Sequence, residues 1–127
     1  MFWVLKCNIY MDIYHVWCNI DGDVTDKEWA HDLRVFLQSL KDEHKIESFR
    51  ITRCKLGFRS IQDLPEWHVM VETKDMAQLE TAFQRVARAE QHPLDELESK
   101  LKIKHNAFNQ HVADDIQHAL YRDWPDE

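Results

Sequence analysis

Residues 12–20, DIYHVWCNI, organise the rest of the chain, because two kinds of side chain alternate along them. Side chains of a β-strand point alternately to its two faces, so this stretch predicts a strand whose faces meet different neighbours. One face carries Tyr14, Val16, Cys18 and Ile20. The other face carries Ile13, His15, Trp17 and Asn19. The first set suits packing beneath helices, whereas the second, aromatic and polar at once, suits an interface or the wall of a pocket.

Similar patterns predict three further strands, over residues 46–58, 66–73 and 116–124. The last stretch is also compatible with a helix, but Tyr121, Trp124 and Pro125 favour extended chain, so a strand is preferred. In the second strand, Phe49 and Ile51 share one face, and Arg50, Thr52 and Cys54 share the other. In the third strand, one face carries Trp67, Val69 and Val71, and the other carries His68, Met70 and Glu72.

Apolar residues spaced by three and four predict three amphipathic helices, over about residues 25–43, 75–90 and 93–112. Thr25 with Glu28, and Asp75 with Gln78, have the spacing of capping boxes. The first stripe is Trp29, Leu33, Phe36, Leu37 and Leu40. The second is Met76, Leu79, Phe83, Val86 and Ala87. The third, which follows Pro93, is Leu94, Leu97, Leu101, His105 and Phe108.

The resulting order is strand, helix, strand, strand, helix, helix, strand. This βαββα(α)β order is the split βαβ pattern of a ferredoxin-like α+β fold, with one antiparallel sheet and helices on one of its faces. The strand order of that fold is 4-1-3-2, so the first and third strands are expected to be adjacent at its centre.

Length and charge limit the classes of function. A chain of 127 residues favours a single domain. Sixteen Lys and Arg residues against 23 Asp and Glu residues give a net charge of −7. Such an acidic chain lacks the positive surface of a nucleic-acid-binding protein, and it is unsuited to an anionic membrane surface.

Three cysteines without metal-ligand spacing indicate reduced thiols in a cytoplasmic protein. The apolar start of the chain is interrupted by Lys6, and it is too short to span a membrane. Residues 1–11 are therefore interpreted as a peripheral N-terminal extension, and residues 12–127 as a single ferredoxin-like domain.

Three segments carry a resemblance to a known group of proteins: DIYHVWCNI at 12–20, EWHVMVE at 66–72 and HNAFNQHVADDIQHALYRDWPD at 105–126. They are similar to a group of small, uncharacterised bacterial proteins whose fold resembles the dimeric α/β-barrel superfamily. The resemblance implies a homodimer packed sheet against sheet, with a pocket between sheet and helices or within the barrel. Superfamily members include cofactor-free monooxygenases, haem-handling enzymes, lactone isomerases and proteins without known activity.

Polar and aromatic residues are predicted to collect on the sheet face away from the helices: His15, Trp17, Asn19, Arg50, Thr52, His68, Met70 and Glu72. On adjacent antiparallel strands, His15 and His68 can come within side-chain reach. The pair is either a general base or part of a polar interface. Glu72 lies four residues from His68, roughly 13 Å along a strand, so a shared metal ion is not predicted.

The remaining site candidates also have two interpretations. Arg50 either orients an anionic or carbonyl-bearing ligand or pairs with Glu72 or a partner chain. Trp17 either packs against neighbouring side chains or forms the apolar wall of a ligand pocket. If the protein has a pocket, His15 and Trp17 are predicted to line it. Asn19, Met70 and Glu72 complete the candidate ligand-binding set. A purely structural role is expected for Tyr121, Arg122 and Asp123, which would fix the C-terminal edge by hydrogen bonds and an ion pair.

The predicted residues suit two functions, with a weaker third alternative. The first is a cofactor-free, small-molecule-binding enzyme of the dimeric α/β-barrel type, monooxygenase-like or isomerase-like, with His15 or His68 as base. The second is a non-catalytic dimeric binding or interaction module, in which partner side chains fill the polar sheet face. The weakest is haem binding through His15 or His68, which a Soret band would test.

Overall fold

The computed structural model describes residues 10–91 and 95–124. Its sheet contains β1 (Asp12–Cys18), β2 (Ser48–Arg53), β3 (Trp67–Thr73) and β4 (Gln117–Arg122). All neighbouring strands are antiparallel, in the order β2-β3-β1-β4. The three helices are α1 (Asp26–Asp42), α2 (Met76–Gln91) and α3 (Glu96–Asn109). The predicted ferredoxin-like α+β fold, its strand order and the strand nature of β4 are confirmed.

The strands are shorter than the sequence pattern predicted. β1 ends at Cys18, and Ile20 forms an isolated bridge with Val112 instead of continuing the ladder. β2 ends at Arg53, because the chain enters a short 3₁₀ turn over Lys55–Gly57. Gly57 has φ 65°, a left-handed conformation that glycine adopts without steric cost and that differs from extended strand geometry.

Cross-strand register separates the two predicted faces of β1. Tyr14 lies opposite Val71, and Val16 lies opposite Val69. These side chains face the helices and join a core whose buried apolar members are Cys18, Trp29, Leu33, Phe36, Leu37, Leu40, Ile46, Trp67, Val69, Val71, Ala82, Ala89 and Leu101. Every predicted core position of α1 is in that set, so its stripe is confirmed.

The predicted stripes of the other two helices are partly wrong. Met76 is 58% exposed and Phe83 52% exposed, whereas Ala82 and Ala89 are buried. The buried face of α2 is therefore rotated from the predicted stripe and consists of Leu79, Ala82 and Ala89. In α3, Leu97 is 52% exposed. The predicted start at Pro93 and the stripe position Leu94 lie outside the described residues, and α3 begins after the N-cap Asp95.

Helix starts follow the predicted capping chemistry. The Thr25 hydroxyl accepts a hydrogen bond from the Glu28 amide at 3.1 Å. The Asp75 carboxylate accepts one from the Gln78 amide at 2.9 Å. The side chain of Gln78 departs from a full capping box, since it accepts from the Lys74 amide rather than from the cap residue.

The C-terminal edge is fixed to β1 in the manner predicted. Arg122 Nη1 lies 2.7 Å from Oδ1 of the buried Asp12. The Met11 amide donates to the Asp123 carboxylate at 2.9 Å, and the Asp123 amide donates to the Met11 carbonyl at 3.0 Å. Most of the predicted N-terminal extension lies outside the described residues. Within the described residues, the helices are too short or too polar to cross a membrane.

Candidate functional site

The sheet face away from the helices brings the two predicted histidines together. Nδ1 of His15 lies 2.8 Å from Nε2 of His68, which is hydrogen-bonding distance. The register places Trp17 opposite His68, so His15 and His68 are diagonal neighbours on β1 and β3. The predicted approach of the two imidazoles across the strand ladder is therefore present in the structure.

Two further rings join this pair. The Trp17 and His68 rings stack with centroids 4.8 Å apart and planes at 10°. His15 stacks on Trp17 with centroids 5.4 Å apart and meets the edge of Tyr121 at 4.9 Å. We call His15, Trp17, His68 and Tyr121 the aromatic patch. It spans three strands, and all four side chains keep some exposure to solvent.

The environment favours the neutral form of both imidazoles. Burial lowers the pKa of His15 from its ordinary value. Burial, and then the charge of His15, lowers the pKa of His68. No described residue hydrogen-bonds the remaining ring nitrogen of either histidine. A neutral imidazole carries a lone pair on one nitrogen, so the pair can accept a proton from a partner group.

The other predicted site residues divide into two kinds. Arg50 and Met70 are cross-strand partners beside the patch, and Glu72 lies farther along β3. Neither Arg50 nor Glu72 has an ion-pair partner in the described part of the chain, so the predicted pairing between them is absent. Asn19, in contrast, is occupied: its amide donates to Asp115 at 2.9 Å and accepts from the Glu66 backbone at 2.9 Å.

A cavity of about 420 Å³ lies on the other side of the sheet, between β1, β3 and the helices. Ligand pockets commonly fall in the range of 300–1,000 Å³ and are mostly apolar. Tyr14, Val16 and Cys18 line the cavity from the sheet. The partly exposed Phe83 and Ile116 also line it, so solvent reaches it between α2 and the start of β4.

His15 and Trp17 do not line this cavity. The prediction that a pocket lies beside them is therefore wrong for this cavity, because the pocket uses the opposite face of the same strand. In the described part of the chain His15 and Trp17 are partly exposed, and a pocket beside them stays a prediction that requires a second protomer.

Polar groups enter the cavity wall where α2 meets α3. His105 Nδ1 lies 2.9 Å from Glu90 Oε1, and both residues line the cavity. With its side-chain nitrogen turned toward Glu90, which satisfies both ends of the amide, Asn106 donates to Oε1 at 3.0 Å and to Oε2 at 3.3 Å. The His105 ring also lies 5.0 Å from the Phe36 ring, so a polar pair is set among aromatic side chains.

Sequence reasoning missed the role of this pair. The sequence pattern places His105 in the apolar stripe of the third helix and Glu90 at the end of the second. The available signal was a histidine inside an otherwise apolar stripe, which predicts a polar group turned toward the core. Its carboxylate partner was not predictable, because it lies 15 residues away on another helix.

The geometry also bears on a nucleophilic cysteine and on a metal site. Cys18 is 2% exposed and lines the cavity, and burial, followed by the charge of Asp115, raises the pKa of its thiol to about 11. Such a thiol is a poor nucleophile at neutral pH. Across residues 10–91 and 95–124, no three His, Cys, Asp or Glu side chains are grouped to hold a metal ion.

Comparisons with solved structures identify the same fold. A dimeric ferredoxin-like protein of unknown function from Jannaschia sp. CCS1 aligns with 15% identity and a TM-score of 0.59, over 87% of this chain and 97% of that chain. A protein from Arabidopsis thaliana aligns with 10% identity and a TM-score of 0.59, over 92% of this chain and 98% of that one. At these identities the similarity shows the fold alone.

Sequence comparison adds a family but no activity. No curated protein matches the chain. The family described as a family of unknown function, DUF6614, matches residues 11–127, which begins next to the predicted domain start at Asp12. Because that match covers nearly the whole chain, the protein belongs to the DUF6614 family of unknown function.

Proposed function

We propose that this protein is a homodimer in which each protomer binds an apolar small molecule between its sheet and its helices. The cavity of about 420 Å³ carries this proposal. Its volume lies within the range of small-molecule pockets, and it opens to solvent between α2 and the start of β4, so a ligand has a route into it. Its lining of aliphatic and aromatic side chains favours an apolar guest over a charged one.

The open face of the sheet supports the homodimer. The aromatic patch presents three stacked rings and one edge-on ring on the sheet face opposite the described helices. Arg50 and Glu72 lie on the same face without an ion-pair partner in the described chain, and a second copy supplies counter-charges for both. The protein from Jannaschia sp. CCS1, which shares the fold, is described as dimeric. Aromatic residues and arginine are enriched at the centre of such interfaces.

Binding of propylbenzene, followed by calorimetry, tests the cavity. Ala82 on α2 is buried and lines the cavity, whereas Ala77 on the same helix is exposed and does not. We expect Ala82→Leu to weaken binding about tenfold or more, because the larger side chain occupies part of the cavity. Ala77→Leu is the matched control, and its affinity should equal that of the wild type. If wild-type protein binds no propylbenzene, the proposal fails.

A second candidate function places chemistry at the aromatic patch. The 2.8 Å contact between His15 and His68, together with their lowered pKa values, favours a proton-accepting pair. In this proposal a ligand lies between two protomers, Arg50 orients it and Trp17 forms its apolar wall. The reaction is then of the cofactor-free monooxygenase or isomerase type.

His15→Ala separates the two candidates. A ligand held at the patch should lose its affinity in this variant, whereas propylbenzene in the cavity should bind unchanged, because His15 does not line that cavity. If His15→Ala changes neither the binding of any ligand found by thermal-shift screening nor the affinity for propylbenzene, the patch serves the non-catalytic interface.

A further inference from the structure

We propose that Glu90 and His105 form a polar anchor for the hydroxyl group of an otherwise apolar ligand, such as a phenol or an enol. The inference rests on the proposed function, since it concerns the same cavity and names the class of molecule held there. It begins from an asymmetry in the wall of that cavity, where an apolar lining is interrupted by a charged carboxylate and an imidazole in contact with each other.

The contact sets which nitrogen of the imidazole is left for a ligand. The Glu90 carboxylate lies 2.9 Å from Nδ1 of His105 and therefore holds the proton on that nitrogen. In the neutral form of the ring, Nε2 then carries the lone pair, and no described residue hydrogen-bonds it. A carboxylate that fixes the tautomer in this way leaves the far nitrogen as an oriented hydrogen-bond acceptor.

The carboxylate is itself held in place. The Asn106 amide donates to both of its oxygens, at 3.0 and 3.3 Å, in the orientation that satisfies the amide. The His105 ring is positioned by Phe36 and Phe108, whose centroids lie 5.0 and 5.5 Å away. The acceptor is thus fixed on two helices before a ligand arrives, which lowers the entropy lost on binding.

The residues around Glu90 and His105 determine which class of ligand the cavity can hold. Apart from the pair and Asn109, the described lining residues are apolar or aromatic and include no Lys or Arg, so a carboxylate or phosphate ligand would meet the negative charge of Glu90 without a counter-ion from them. A neutral hydroxyl on an apolar skeleton satisfies both parts of the wall. Phenols and enols fit best, because their acidic hydroxyl protons make strong donors to an imidazole nitrogen.

The pair could instead serve only to join α2 to α3, and the chain offers a matched control for that role. Lys104 Nζ lies 3.0 Å from Asp32 Oδ1, joining α3 to α1, and neither residue lines the cavity. Asp32→Asn should lower the melting temperature without changing ligand preference. If a variant of Glu90 or His105 loses as much stability as Asp32→Asn but also changes ligand preference, the change in preference is not caused by the lost stability.

The test compares 4-propylphenol with propylbenzene, which differ by one hydroxyl group. We divide the dissociation constant of 4-propylphenol by that of propylbenzene. This ratio should rise about tenfold in His105→Phe, because the ligand hydroxyl loses its acceptor while the phenylalanine ring keeps the packing of the imidazole. Glu90→Gln weakens the hydrogen bond that keeps the proton on Nδ1 of His105, so it should raise the ratio by a smaller factor. Asp32→Asn should leave the ratio at its wild-type value.

The outcomes distinguish this inference from the proposed function. If wild-type protein binds propylbenzene but the ratio is unchanged in both His105→Phe and Glu90→Gln, the anchor is refuted and the apolar cavity stands. If the wild type binds neither compound, both proposals fail together. Should His105→Phe not fold, the ratio measured in Glu90→Gln decides the question alone.

Discussion

Nδ1 of His15 and Nε2 of His68 lie 2.8 Å apart across β1 and β3, on a face where both rings stack against Trp17. One nitrogen donates and the other accepts, so the contact requires at least one neutral ring. Protonation of both rings would place two positive charges at hydrogen-bonding distance. The protonation state of this pair is therefore coupled to the stability of the folded sheet.

The first prediction follows from the direction of that coupling. The pKa values of His15 and His68 are lowered in the folded protein, so the unfolded chain binds more protons between the lowered values and the ordinary histidine value near 6.5. The free energy of unfolding should thus fall as the pH drops from 7.5 to 5.5. Urea unfolding at several pH values measures this dependence.

The double variant His15→Gln/His68→Gln isolates the pair from other titrating groups. Its unfolding free energy should fall less over the same pH interval, because the two imidazoles that gain protons on unfolding are absent. His31, which is exposed on α1, provides the control variant His31→Gln with the wild-type dependence. Parallel curves for wild type and double variant would contradict the prediction.

The second prediction concerns the oligomeric state. In the proposed dimer, Trp17 lies at the interface, so Trp17→Glu should bury unpaired charge and separate the protomers. Light scattering should give about twice the 15.3 kDa protomer mass for the wild type and one protomer mass for the variant. Ile103 on α3 is 62% exposed, so the control variant Ile103→Glu should remain dimeric. A wild-type mass of one protomer would refute the dimer.

Most of the fold could be predicted from residues 12–20 and the patterns downstream of them. Alternation assigned the faces of β1 and β3 because one face of each strand packs into the apolar core and the other does not. The stripe of α1 was predicted for the same reason, since all five of its members are buried. In α2 the buried face includes Ala82 and Ala89, and alanine carries too little apolar surface to dominate a pattern based on large side chains.

The candidate site was less predictable, because it depends on packing between elements. Periodicity put His15 and His68 on one face, and adjacent strands then placed them in contact. It could not show that the helices leave about 420 Å³ unfilled above the other face of β1. The contact between Glu90 and His105 depends on how α2 and α3 dock, which no spacing along the chain specifies.

The third prediction concerns a charge network that joins the three helices. Arg85 on α2 contacts Glu43 at 2.6 Å and Glu98 at 2.7 Å, and all three side chains are largely buried. Arg85→Met should lower the free energy of unfolding by about 3 kcal/mol, because it removes the bidentate partner of the Glu43 carboxylate and one of the partners of the buried Glu98. Chemical denaturation measures the loss, and adding Glu98→Gln should restore part of it. A loss below about 1 kcal/mol would contradict the buried geometry.

The fourth prediction uses the two described cysteines, both of which are free. The pKa of the Cys18 thiol is about 11, so its thiolate fraction at pH 8 is about a hundredfold lower than that of a thiol with the ordinary pKa of 9.0. Cys18 is also only 2% exposed. A thiol reagent should therefore modify Cys54 in the folded protein and reach Cys18 only after unfolding. Mass spectrometry of digested, labelled protein separates the two sites. Because Cys18 lines the cavity, its rapid labelling in the folded state would instead show that the cavity floor opens to solvent more often than the packed core permits.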